Sequence, residues 1–396
     1  MSSKVHPGPT PRSNEVVIGP LALASTTGVF ILIGVTSSLF GPLLLTLAQH
    51  FHLSIASAGS ILSIYFVGAL LGILPAWWAM TKVSGRALLR SGTLTIAVGA
   101  LGASMVSSWS LFLASVFVIG LGFGSLDIGL NSMLARTALE GRAHRLSVAN
   151  AGFGIGAVLC PLSIIAVGQS HFATVFVGIV VVSLLLVVSM RGIVAPPAPV
   201  RAADDNVGGA HPQRRPMLLT FAAGLILYVA VESTTAGWIA AQLHGDGYSK
   251  LTGSLVTAGF WTGLALGRFL GGPLHHRFSH KALVLVGLSL AVLLSLSALS
   301  KTLAPFAYPL LGLVIASVFA MGLLWYTILV PNDSNGMSLM FLLMMLGGAA
   351  GPGLMSVIVS TFGSRVVPFV LSTYALLGLA VFTSALRFSP LSNGAS

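Results

Sequence analysis

The chain has 396 residues, of which 55% are hydrophobic and only 7% charged, and its mean hydropathy is +0.97. A soluble globular chain carries roughly 25% charged residues, so a water-solvated globule is excluded and lipid is the expected solvent. The formal net charge of +11 does not mark a nucleic-acid binder, because the basic residues fall singly or in small groups and form no basic face.

A modestly basic tail, residues 1–16, leads into a first apolar run that is too long for a signal-peptide core and has no cleavage site after it. It is therefore read as a retained helix over 17–47. Breaks at charge, Pro, Gly and His then predict helices near 54–80, 87–107, 110–135, 145–168 and 171–194. After a gap come helices near 217–243, 250–275, 281–300, 302–330, 335–361 and 364–387. Roughly 20 apolar residues span a bilayer core about 30 Å thick. The runs are continuous rather than alternating, which selects helices over a β-barrel. The expected fold is thus an all-α integral membrane protein of twelve transmembrane helices in two pseudo-symmetric six-helix bundles.

Residues 17–194 are read as one bundle and 217–388 as the other, joined by a Pro-, Ala- and charge-rich linker at 195–216 and followed by a tail at 389–396. With the N-terminus cytoplasmic, fifteen of the 19 Lys and Arg residues fall on the inner side and only Lys250, Lys301 and Arg365 on the outer, with Arg268 inside a helix. Positive residues stay inside, so both tails and the linker are expected to be cytoplasmic. Cys160, the sole cysteine, lies in an apolar run and has no intramolecular disulfide partner.

The two halves repeat. Gly68 and Gly72 match Gly263 and Gly267, and the same offset places Lys82 on Arg277. Gly156-x-x-x-Cys160-Pro161 likewise matches Gly347-x-x-x-Gly351-Pro352. Small residues spaced in this way let helices approach closely, and repeated bundles around a central site are a transporter architecture. Gly156, Pro161, Gly351 and Pro352 are accordingly assigned to gating or structure.

Four stretches, in order, carry a family resemblance: "GLGFGSLDIGLN" (120–131), "GFGIGAVLCPL" (152–162), "LYVAVESTTAGW" (227–238) and "GFWTGLALGRFLGGPL" (259–274). With them the chain resembles the major facilitator superfamily, and within it the fucose–galactose–glucose:proton symporter branch. That resemblance implies alternating access by two rocking bundles, uptake of a sugar with protons, a monomer, and a bacterial inner membrane. The chain departs from the family pattern at three places. Thr81 or Lys82 and His276 stand where the loops usually carry an acid, Ser147 and Asn150 replace a Leu-Asn-x-x-His stretch, and the first helix lacks a carboxylate.

Of eight acids, only Asp127 and Glu232 lie well inside helices, one in each half. An acid at bilayer depth costs about 2.5–3.5 kcal/mol to insert, and desolvation favours its protonated form. Both are candidate proton-coupling residues. Asn131, one turn beyond Asp127, offers an amide to a polar solute, and Asn150 belongs to the same candidate set. Tyr228, Glu232 and Trp238 form a carboxylate-plus-aromatic group suited to a sugar, or else an interfacial anchor with a structural ion pair. Trp261 and Trp325 are further candidates for solute contact, each equally readable as core packing.

Arg268 reads as a gating or structural residue, paired with an acid on a neighbouring helix. The stretch "HHRFSH" (275–280) lacks thiolates and carboxylates nearby, so no metal is expected. No P-loop or enzyme constellation occurs, and no cofactor is expected beyond the proton as coupling ion. The expected partners are a small-molecule substrate and the bilayer. The alternative function is a proton-coupled efflux antiporter for drugs or metabolites, since the Gly156–Pro161 stretch partly resembles an antiporter signature.

Overall fold

The computed structural model describes residues 20–135, 142–168, 171–193, 195–197, 213–331 and 333–388. Side chains at 20, 135, 142–150, 192, 272, 273 and 334 fall outside that description. The tails at 1–16 and 389–396, and most of the linker, also lie outside the described residues.

The first bundle contains α1 (Pro20–Ser38), α2 (Phe40–His50), α3 (Ile55–Met80), α4 (Gly85–Met105), α5 (Trp109–Ala135), α6 (Arg142–Val167) and α7 (Phe172–Ser189). The second contains α8 (Arg214–Gly245), α9 (Lys250–His275), α10 (His280–Ser297), α11 (Ala304–Leu329), α12 (Ser334–Phe362) and α13 (Val367–Ser384). Among the described residues, ten helical segments have the length and apolar character to cross a bilayer. Large apolar side chains such as Leu185, Phe269, Leu293 and Val357 cover the outside, where lipid replaces water.

The continuous first helix expected over 17–47 is instead two helices broken at Leu39. Pro42 supplies the reason. It has no N–H for the Ser38 carbonyl, and its ring crowds that same carbonyl. The chain still crosses in one direction, so the break leaves the twelve crossings intact.

Serine caps mark the repeat. Ser54 and Ser84 accept from the N–H groups of Ser57 and Ala87 at 3.0 and 3.3 Å. In the second half Ser249 and Ser279 do the same for Thr252 and Ala282 at 3.1 and 3.2 Å. The packing repeats as well. A Cβ on Gly68 or Gly72 would strike the carbonyls of Phe117 and Leu121 on α5, and one on Gly263 or Gly267 those of Pro309 and Leu313 on α11. Small residues thus set two equivalent close crossings.

The start of α1, the ends of α5 and α13, the starts of α6 and α8, and the α3–α4 and α9–α10 turns share one end, called here the terminal end. There the start of the linker is pinned to the first bundle: Gly85 N–H donates to the Ala195 carbonyl at 2.8 Å and Arg86 to the Ile193 carbonyl at 2.8 Å. The linker's exit is pinned to the second bundle by a two-pronged Arg214–Asp333 pair at 3.0 and 2.8 Å.

Between bundles, α3 lies along α12 and α6 along α9, the exchange expected of a pseudo-two-fold. At the far end Lys250 donates to Gln49 at 2.6 Å, and Ser356 donates to the Ala56 carbonyl. The seam continues inward through Gly59 on Trp238, Leu62 on Gly237, Ser63 on Gly353 and Phe66 on Gly348.

Candidate functional site

In the first bundle, α1 ends in the polar run Thr36-Ser37-Ser38, just where the helix breaks. The Thr36 hydroxyl lies 3.2 Å from the Tyr65 hydroxyl of α3. Tyr65 is buried against Phe40, Phe66 and Phe123, with ring centroids 5.4, 5.3 and 5.3 Å away. Phe123 precedes Asp127 by one turn of α5, on the same helix face. Asn131 donates its amide to both the backbone carbonyl and the carboxylate of Asp127, at 2.9 and 3.2 Å. The amide offered to a solute on sequence grounds is therefore turned onto Asp127, which it holds in place.

In the second bundle, Tyr228 and Glu232 stand one turn apart on α8, and the Tyr228 hydroxyl donates to Glu232. Arg268 of α9 donates through one nitrogen to both Glu232 oxygens, at 3.3 and 3.4 Å. Arg268 is interior to its helix, yet 40% of its side chain is accessible, against 14% for Glu232. Arg268 is therefore only partly enclosed. It also sits 5.5 Å over the Phe153 ring of α6, and Phe153 meets Trp261 edge-on at 5.9 Å. Asp127 makes no ion pair with Arg268, and their charges interact only at longer range.

Tyr228, Glu232 and Arg268 thus cluster, and Asp127 of the other bundle adds its charge to theirs at longer range. With Asp127 protonated, the Glu232–Arg268 pair leaves the group neutral. With Asp127 ionised it carries one net negative charge.

The remaining sequence candidates separate. Trp261 joins the central group through Phe153, and its buried indole N–H has no partner. Trp238 is fully buried and lies across Gly59, in the far-end seam. Trp325 is fully buried among Phe221, Phe382 and His280 near the terminal end of α11, away from Glu232. Asn150 is part of α6, but its side chain lies outside those described. Gly156 abuts the Ile31 carbonyl of α1, and Gly351 abuts Ala230 and Thr234 of α8. Pro161 and Pro352 are both buried within helices.

Phe153 and the broken α1–α2 span were not singled out from sequence. The second had a readable signal, a Pro four residues after a Thr-Ser-Ser run. For Phe153 there was none, since it is one of many aromatics in apolar helices.

The Major Facilitator Superfamily profile matches residues 26–332. The chain belongs to the Major Facilitator Superfamily. Among curated relatives of this superfamily member, "Bypass of stop codon protein 6" of Saccharomyces cerevisiae is 25% identical over 401 residues, covering 86% of this chain and 78% of that protein. The L-fucose-proton symporter of Escherichia coli is 30% identical over 163 residues, covering 40% of this chain and 36% of the symporter. In overall fold the chain is similar to a bacterial homologue of the human lysosomal transporter Spinster, solved in an inward-facing and occupied conformation. The TM-score is 0.78 at 16% identity, covering 94% of this chain and 98% of that one. The transporter architecture, twelve crossings in two bundles, is that of the family.

Proposed function

We propose that this major facilitator protein carries a small polar solute, a sugar, together with protons, with Asp127 as the proton site. The observation that carries the reading is the Glu232–Arg268 pair of the second bundle reaching Phe153 of the first, with Asp127 the one further acid within an apolar helix whose charge Arg268 feels. An acid at bilayer depth is by default functional, and the partial match to a sugar–proton symporter supports the solute class. Trp261 and Phe153 supply aromatic faces for the apolar side of a sugar ring, while Glu232 and Arg268 offer acceptor and donor to its hydroxyls.

Basic residues concentrate at the terminal end, which makes that end cytoplasmic. The far end closed by these contacts is then the outer one. We place the protein in a bacterial inner membrane, as a monomer. The test is charge movement by purified protein in liposomes on a solid-supported membrane, challenged with monosaccharides and then with cationic drugs. A sugar-evoked current of the sign of proton co-entry, abolished in Asp127→Asn while the fold is retained, supports the reading. Currents with cationic drugs alone reassign the protein to efflux.

A further inference from the structure

Three ring nitrogens gather at the terminal end of the second bundle, all buried and none with a hydrogen-bond partner among the described residues. They are Nδ1 of His275, Nε2 of His280 and Nε1 of Trp325. His275 closes α9, His280 opens α10, and Trp325 stands one turn before the end of α11. The ring centroids of His275 and His280 are 6.3 Å apart, and those of His280 and Trp325 6.0 Å. The Lys281 ammonium lies over the Trp325 ring, 5.6 Å from its centroid. The other rings against Trp325, Phe221 and Phe382, offer its N–H no acceptor.

The chemistry of these groups selects their ligand. An indole N–H and an ammonium can only donate, so the matching atoms are acceptors, and a neutral imidazole can present a donor at either nitrogen. A metal ion accepts nothing from an indole, and the described residues hold no group of three His, Cys, Asp or Glu suited to one. The stretch 275–281 carries Arg277 and Lys281 and no acid, and α10 adds the positive end of an 18-residue helix. The rings are tilted by 54° and 55° to one another, so the donors lie in no common plane. A tetrahedral anion, accepting at about 2.7–2.9 Å, fits such a set better than a planar one. The repeat supplies a contrast, since the offset that places Lys82 on Arg277 also places Gly85 on His280. In the first bundle that corner is filled by the chain itself: Gly85 donates to the Ala195 carbonyl at 2.8 Å, and a Cβ on it would strike that of Ala195. In the second, the same position presents an imidazole to Trp325.

We propose that His275, His280, Lys281 and Trp325 form a phosphate-binding site, which takes the phosphate group of a lipid headgroup or of free phosphate. The turn above it, residues 276–279, is exposed, so a ligand enters by displacing side chains of that turn alone. A phosphate bound there ties together the ends of α9, α10 and α11, where the helices leave the bilayer. The site uses neither the transported solute nor Asp127, so it stands independently of the transport reading.

The experiment follows the melting temperature of the full chain in dodecyl maltoside, a phosphate-free detergent, at constant ionic strength. Inorganic phosphate is titrated in one arm. In the other, phosphatidylglycerol is added to the micelles and compared with a phosphate-free glycolipid. A ligand of the folded state raises the melting temperature with its concentration, so a saturable rise is expected. Trp325→Phe and His280→Phe, which keep a ring, and Lys281→Met should each weaken the apparent affinity about tenfold or more, as for lost hydrogen bonds to a charged group. His275→Phe gives the same readout should Trp325→Phe not fold. Lys82→Met, in the equivalent turn of the first bundle, should leave the affinity unchanged. A response to both probes supports the site, a response to phosphatidylglycerol alone assigns the phosphate to lipid, and a response to inorganic phosphate alone assigns it to a soluble source. No saturable response to either probe overturns the proposal. So does binding that persists undiminished in the ring variants, or that Lys82→Met weakens as much as Lys281→Met.

Discussion

The Ser356 hydroxyl donates to the backbone carbonyl of Ala56, joining two helices of different bundles across 300 positions of sequence. This contact and its neighbours close the far end of the molecule, while Arg268 remains accessible nearer the terminal end. The contacts of that closed end are testable one at a time.

Gly59 is one of the tight points of that closed seam, since a Cβ there meets the indole of Trp238. A Gly59→Leu substitution overpacks the seam, which costs about 1–3 kcal/mol, and only in the state closed at the far end. The far end should open more often. A membrane-impermeant maleimide should label Ser63→Cys several-fold faster in this variant than in a Gly59 background, both carrying Cys160→Ser.

The cap of α12 predicts an acid-sensitive stability term. Burial pushes the Asp333 carboxyl up, but hydrogen bonds from Arg214, from Tyr326 at 2.5 Å and from the Gly336 N–H at 2.8 Å outweigh it and hold it below the ordinary value. A carboxylate depressed in the folded state stabilises fully above its unfolded value near 3.9, and that stability is lost as the pH falls through the lower folded value. Asp333→Asn should therefore cost about 1.5–3 kcal/mol at neutral pH, as for hydrogen bonds to charged groups. Thermal unfolding in detergent should show the gap to the parent narrowing below about pH 4.

Trp325 and Trp261 were alike in sequence and differ in place. Trp325→Ala removes a fully buried ring from a packed aromatic cluster, and should cost about 3–5 kcal/mol while leaving the apparent KM of the folded carrier unchanged. Trp261→Phe keeps most of the volume beside Phe153, and should instead raise the KM for the transported solute with little loss of Tm. Transport assays paired with thermal melts separate the two.

Pro42 breaks the first crossing. Pro42→Ala restores an N–H opposite the Ser38 carbonyl and removes the ring clash, a change worth up to about 3 kcal/mol within a helix. Hydrogen exchange around residues 39–42 should slow and thermal stability should rise. Solute exchange should slow as well, because the bend beside Thr36 and Tyr65 is lost.

Much of the candidate site was legible in outline. Asp127, Glu232 and Arg268 stand out because a charge inside an apolar run is conspicuous in one dimension. Their partners were less so. Asn131 turned out to bind Asp127, because a side chain one turn away meets the carboxylate before any solute does. Trp238 and Trp325 point into seams and cores rather than to the central group, since helix rotation is set by packing that no single run of sequence encodes.

The amino-acid sequence by itself determined the solvent, the number of crossings and the internal repeat, because hydropathy and the spacing of small residues are local properties of each segment. Only the tertiary structure decided that Arg268 answers to Glu232, 36 positions away, and lies over Phe153 of the other bundle. It also decided which end of the seam is shut. Those relations depend on how helices rotate and tilt against one another, and that is settled by the sum of many interbundle contacts rather than by any one stretch of chain.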